Sequence, residues 1–143
     1  MVVPDRVTDR IADAPLSAHV ATSVEDRPHV APVWYAYEDG SLWITTGGKK
    51  LRNVRRNPRV AVSIESADRA GNVDWNATLL ATARVVDDAE REEEVLDAID
   101  RKYRGDTDDR DDAGDGDAEA DGGEESAGAL VELRIASATL AEY

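Results

Sequence analysis

The dipeptide Asp39-Gly40 separates two apolar runs, residues 29–37 (HVAPVWYAY) and 41–46 (SLWITT). Asp-Gly between such runs is among the strongest hairpin signals, because its two positions accept the left-handed backbone that a two-residue turn requires. The chain must therefore build antiparallel sheet. Four further stretches read as strands. Residues 18–24 place Val20, Thr22 and Val24 on one face and His19, Ala21 and Ser23 on the other. Val60, Val62 and Ile64 alternate with polar or small residues, and residues 75–87 form a long run. Residues 129–136 put Val131, Leu133 and Ile135 inward and Glu132 and Arg134 outward. Turn residues 25–28 (EDRP) link the first two strands. Pro32 cannot donate to a ladder, so its strand must have an edge, a bulge or a gap there.

Three helices complete the reading. Residues 5–13 form a short one with Val7, Ile11 and Ala12 on one side, and residues 49–57 another with Leu51 and Val54 toward the core. Asn57-Pro58 stops the second. Asp87 and Glu90 have capping-box-like spacing ahead of a third that buries Val95, Leu96, Ile99 and Tyr103. The expectation is a mainly β fold: six antiparallel strands in meander order with short helices, forming a small β-barrel or sandwich.

Charge singles out one part of this frame. The chain has formal net charge -14, yet residues 41–64 contain no Asp or Glu and hold Lys49, Lys50, Arg52, Arg55, Arg56 and Arg59. Thr45, Thr46, Gly47 and Gly48 stand just before them. A strand, a Thr/Gly turn and a basic helix start make an anion pocket, since backbone N–H groups at a helix N-terminus carry partial positive charge. Only three lysines occur, and two of them are Lys49 and Lys50. Cations at a helix start oppose its dipole, so the placement is easier to explain with a bound anion than as a solvated helix end. The arginines divide between that role and pairing with the acidic surface.

The remaining composition narrows the class. A length of 143 residues implies one domain, 1–143, with a real core. Acid-rich, lysine-poor surfaces with many Ala and Val suit a halophilic, high-salt cytosol, the alternative being an ordinary acidic protein. Without cysteine there are no disulfides, thiolate metal sites or Cys nucleophiles. No apolar run approaches the ~20 residues of a membrane span. The start, MVVPDRVTDR, lacks the basic and apolar stretches of a signal peptide, so a cytoplasmic location is expected. The negative charge argues against nucleic-acid binding. Residues 105–128 carry eleven acids and no large apolar side chain, and are expected to be a disordered insert. Asp108, Asp111, Asp115 and Asp117 do not match EF-hand spacing, so no metal site is assigned. No Ser-His-Asp context supports hydrolysis, and no residue declares itself a catalytic acid or base.

The run HVATSVEDRPHVAPVWYAYEDGSLWITTGGKKLRNVRRNPRVAVSIE, followed by WNATLLATARVVDD and a helix, resembles the pyridoxamine 5'-phosphate oxidase-like family of split β-barrel flavin-binding proteins. The likeness covers residues 18–104 and 129–140. It implies a homodimer with FMN in the clefts between subunits. His29, Val30, Pro32, Val33 and Trp34 would run along the cofactor's ring and ribityl chain. Thr45, Thr46, Lys49 and Lys50 would hold its phosphate, and Asn76, with Trp75 beside it, would meet the ring from the partner subunit. The chain departs from the family's true oxidases. Positions basic there are His29 and Trp34 here, the loop from Thr46 to Lys49 is shorter, and no late Trp and Arg pair is present. Pyridoxamine phosphate itself is therefore not the expected substrate. The expectation is an FMN-binding oxidoreductase acting on a small molecule. The alternatives are a deazaflavin-dependent reductase of the same fold, whose acidic tail the arginines would serve, and a non-enzymatic flavin- or heme-binding dimer.

Overall fold

The computed structural model describes residues 3–105 and 128–143. Its elements are α1 (Asp5–Ile11), β1 (Ala18–Val24), β2 (Arg27–Val33), β3 (Ala36–Glu38), β4 (Ser41–Thr46), α2 (Gly48–Arg56), β5 (Arg59–Ala67), β6 (Val73–Val86), α3 (Ala89–Arg104) and β7 (Ala129–Glu142). All strand pairs are antiparallel, in the order β2-β1-β5-β6-β7-β4-β3.

The two tight turns form as their sequences require. Val24 pairs with Arg27 around Glu25-Asp26, and Glu38 pairs with Ser41 around Asp39-Gly40. All four turn residues have positive φ, from 52° to 82°, as a two-residue turn matched to the strand twist demands.

The strand count and order correct the expectation. Among the described residues there are seven strands, not six, and they do not form a meander. Residues 29–37 do not make one strand, because the chain changes partner at Trp34 and Tyr35. Before them β2 pairs with β1; after them β3 pairs with β4. These are opposite edges of the sheet, yet only two residues join them. The sheet must therefore roll until its edges nearly meet, giving a barrel split along β2 and β3. The other departure is α2, which carries the chain from β4 across to β1, where β5 then pairs. Pro28 and Pro32 lie on edge strand β2, where a missing N–H costs least. An extra residue at Ala136 shifts the register of β7 against β6 and helps the long strand bend.

The interior is filled by Val20, Val62, Ile64, Leu79, Leu133 and Tyr35, among others. Outside the barrel, α3 lays Val95 and Ile99 over Leu130, Trp43 and Val86. Leu96 is 46% exposed, contrary to expectation: it lies one residue round from the Val95–Ile99–Tyr103 stripe. The helix cap is also one residue later than expected, with Asp88 accepting from the backbone N–H of Arg91. Arg91 then sits over the ring of Trp43 and pairs with Glu38, fixing α3 to the β3–β4 hairpin. Glu132 faces outward as its alternation requires, but it is buried, not solvated. It accepts from Ser41 Oγ at 2.7 Å and Arg84 at 2.6 Å. Burial opposes its ionisation, but these donors outweigh that and hold the carboxyl below its usual range.

No helix among the described residues is long and apolar enough to cross a membrane. The expected mobile insert and the calcium reading fall on residues 106–127, outside the described residues.

Candidate functional site

The basic stretch folds as a strand end and a helix start. β4 ends at Thr46, Gly47 occupies the N-cap of α2, and no side chain caps it. Gly48 has φ +60°, a left-handed value that favours glycine and turns the chain sharply into the helix. The first turn of α2 contains no acid, and its N-cap residue, Gly47, supplies no side-chain cap. Lys49 is exposed and Lys50 half-buried on that turn. Two glycines, uncapped amides and two ammonium groups in four residues make a donor set suited to a phosphate.

α2 is anchored from beneath. Asn53, buried in its middle, donates to Thr22 Oγ1 of β1 at 2.9 Å. Asn57 donates to the Ser23 carbonyl at 3.0 Å. Val54 enters the core. Thr22 pairs with His29 across the β1–β2 ladder, so β1 links the helix to β2. Arg56 pairs with Glu25 of the β1–β2 turn at 3.1 Å, which assigns one arginine to the acidic surface. Arg52 and Arg55 are exposed and have no carboxylate within ion-pair distance among the described residues. Arg59 is exposed at the start of β5.

The pairing sorts the other candidates by face. His29 and Val33 lie opposite the inward residues Thr22 and Ala18, so they share the barrel side of β2. Val30, 62% exposed, and Pro32 lie on the outer face. Thr46 points inward and is buried, whereas Thr45 points outward beside Leu130. Trp75 is in the core. Asn76 is on the outer face and lines a surface hollow of about 380 Å³ with Asn72, Val73 and Tyr143. Trp34, 40% exposed, stacks flat on Tyr103 of α3, with ring centroids 4.5 Å apart and planes 9° apart.

Within one chain, two of these residues sit beside opposite ends of β7. Thr46 pairs with Ala129 at the start of β7, and Asn76 pairs with Ala141 near its end. The twelve intervening steps of β7 span roughly 40 Å of strand at about 3.3 Å each. That path is longer than a mononucleotide cofactor.

Sequence reasoning did not single out the cluster at the split. Tyr35 is buried at the crossing from β2 to β3, and its hydroxyl donates to the Ile11 carbonyl at 2.7 Å. Its own N–H donates to the Tyr103 hydroxyl at 3.2 Å, and Tyr103 in turn donates to the Leu16 carbonyl at 2.7 Å. Lys102 donates to the Tyr35 carbonyl at 3.1 Å. Burial pushes the Tyr35 phenol up and the Tyr103 phenol up to about 12, and pulls the Lys102 amine down to about 8. Helical spacing marked Tyr103 as buried; nothing local marked Lys102 or Tyr35.

The sequence matches the family model described as pyridoxamine 5'-phosphate oxidase over residues 4–141. The chain belongs to this pyridoxamine 5'-phosphate oxidase-like family. Solved structures share the fold of this family member at low identity. An FAD-binding protein from Mesorhizobium loti is 16% identical with TM-score 0.70, covering 98% of this chain and 95% of that one. A conserved hypothetical protein from Mycobacterium tuberculosis is 21% identical with TM-score 0.72, covering 99% and 86%. An F420 reductase is 23% identical with TM-score 0.64, covering 92% and 94%. No curated protein matches the sequence.

Proposed function

We propose that this chain is an FMN-binding oxidoreductase that works as a homodimer in the cytoplasm, with each cofactor held between two subunits. The observation that carries the reading is the pair Lys49 and Lys50 on the uncapped first turn of α2, behind Gly47 and Gly48. In a family of this fold, that donor set suits the phosphate of a flavin mononucleotide. When bound, FMN would supply the redox chemistry by accepting and donating hydride or single electrons. The protein's task is to bind, orient and exclude water. Lys49, Lys50, the amides at the start of α2 and the Thr45–Thr46 strand end would take the phosphate. His29 and Val33, on the barrel side of β2, would border the rest of the molecule. Asn76 would approach from a second copy, because β7 keeps it far from Thr46 within one chain.

The outer face of β2-β1-β5-β6 fits a dimer contact. Val30, Ala21, Ala61 and Leu80 form one cross-strand row there, and Val30 and Leu80 are more than half exposed. The helix packing on the outside of the sheet, α3, lies over Leu130, Trp43 and Val86 instead. Such a row in a soluble protein marks an interaction surface. The acidic composition fits a halophilic protein, so binding should be measured in molar KCl. The substrate is a small molecule other than pyridoxamine phosphate.

Deazaflavin is the second reading. Arg52 and Arg55, without carboxylate partners among the described residues, are placed on the helix that follows the lysines and suit an acidic tail. The F420 reductase among the structural neighbours agrees with it. The test is a titration of ligand-free protein with FMN and with F420, read by fluorescence and thermal shift. Saturable FMN binding near one per chain is expected. Tighter F420 binding would favour the second reading, and no response to either would overturn both.

A further inference from the structure

The outer face of β5 carries opposite charges at its two ends. Val60, Val62 and Ile64 point into the core, so Arg59, Ala61, Ser63 and Glu65 form the outward row. Arg59 and Glu65 are exposed, and neither is ion-paired among the described residues. Six residues separate them, about 20 Å at 3.3 Å each, too far for the two side chains to pair with each other. β6 repeats the pattern. Its buried residues run from Trp75 to Ala83, which leaves Arg84 exposed at one end and Asp74 at the other. Asp74 is the extra residue of a bulge, where Ser66 pairs with Trp75 and Ala67 with Val73. Arg84 gives one donor to Glu132, but its side chain is 66% exposed and its guanidinium has further donors. Arg59 pairs with Thr82 and Glu65 with Asn76, so the basic ends of the two strands coincide, as do the acidic ends. Arg134 of β7, opposite Thr82, adds another exposed cation to the basic end.

We infer that this face packs on the same face of a second copy about a two-fold axis running across the strands, level with the paired residues Val62 and Leu79. That operation sets Arg59 against the partner's Glu65 and Arg84 against the partner's Asp74. Each pair forms twice, as a contact between identical surfaces requires. An axis along the strands would set the arginine ends against each other, and like charges facing across an interface oppose binding. Aligned sheets pack about 30° from parallel, a sideways shift of about 5 Å at Arg59, which an arginine side chain spans. Val30 and Leu80, more than half exposed, give the contact its apolar part. The same axis carries the Thr46 end of one subunit toward the Asn76 end of the other. Thr46 pairs at the start of β7, beside the arginine end of β6, and Asn76 pairs near the finish of β7. The inference rests on the dimer contact proposed for this face and involves no flavin.

The test is a charge swap, read as the dimer dissociation constant of FMN-free protein by analytical ultracentrifugation at one fixed KCl concentration. Arg59→Glu and Glu65→Arg each place like charges together twice per dimer, and each should raise the constant roughly tenfold or more. The double variant Arg59→Glu/Glu65→Arg exchanges the two partners and should return to within about threefold of the wild type. Both positions are exposed, so the variants should fold, and rescue by a second substitution cannot come from a folding defect. Single reversals that leave the constant unchanged would overturn the axis while a dimer remains. So would a double variant as weak as both losses added. A wild type that stays monomeric at every concentration tested would overturn the dimer contact itself, and the axis with it.

Discussion

The hydroxyl of Tyr35 donates to the carbonyl of Ile11 at 2.7 Å, inside the core and across 24 residues of sequence. Ile11 is the last residue of α1, so this bond satisfies one of the carbonyls that a helix end leaves without an internal partner. Tyr35→Phe should keep the packing and lose the bond. The expected cost is about 1–3 kcal/mol, the range for leaving a buried acceptor unsatisfied. Chemical denaturation of the two proteins checks this, and equal midpoints and slopes would mean that water replaces the phenol.

Neutralising Lys49 and Lys50 tests the phosphate assignment. The double variant Lys49→Gln/Lys50→Gln removes two cations from the first turn of α2, where they oppose the helix dipole. Stability should stay the same or rise slightly. Affinity for FMN should fall roughly 10- to 100-fold, because charge-assisted contacts are worth about 1.5–3 kcal/mol. Affinity for riboflavin, which has no phosphate, should hardly change. Equal losses for both flavins would place the lysines elsewhere than at the phosphate.

The split cluster predicts a dependence of stability on alkaline pH. The folded Lys102 titrates near 8, below its ordinary value of 10.5. Between those limits the unfolded chain holds the proton and the folded chain does not, so stability rises with pH. Tyr35 and Tyr103 are displaced the other way, Tyr103 to about 12. Above pH 10 the unfolded chain loses phenolic protons that the folded chain keeps, so stability falls. Lys102→Met should lack the rise between pH 8 and 10 but keep the later fall. A wild-type and variant difference that is flat across this window would contradict the buried-amine geometry.

A net charge of -14 predicts a response to salt. Ionic strength shortens the reach of repulsion between surface carboxylates to about 3 Å at 1 M. The melting temperature should climb from about 0.1 M to 2 M KCl if the composition is a salt adaptation. A melting temperature unchanged over that range would make this an ordinary acidic protein.

Parts of this molecule were legible because the information is local. Strands β1 and β4 follow from alternation, and the Asp39-Gly40 turn from backbone tolerance, so their limits and facing residues are readable. The glycines and lysines at the start of α2 declare themselves by type and spacing. The sheet order is not local. It depends on α2 crossing from β4 to β1, and on Trp34-Tyr35 exchanging one edge for the other. Alternation placed Glu132 on the outer face correctly, but its burial depends on Ser41 and Arg84, 91 and 48 residues away. Lys102 has no local signal, because the ring and carbonyl that surround its amine belong to Tyr35, 67 residues upstream.

In the proposed dimer one cofactor is shared by two subunits, with Thr46, Lys49 and Lys50 contributed by one and Asn76 by the other. Subunit mixing tests it most directly. The variants Lys49→Gln/Lys50→Gln and Asn76→Ala should each bind FMN poorly. Unfolded together and refolded, they should form mixed dimers that contain one intact site and one doubly defective site. Tight FMN binding should return in the mixture, at about one quarter of wild-type stoichiometry for random pairing. No recovery in mixtures shown to contain mixed dimers would contradict it, because both sets of residues would then serve a site within a single chain.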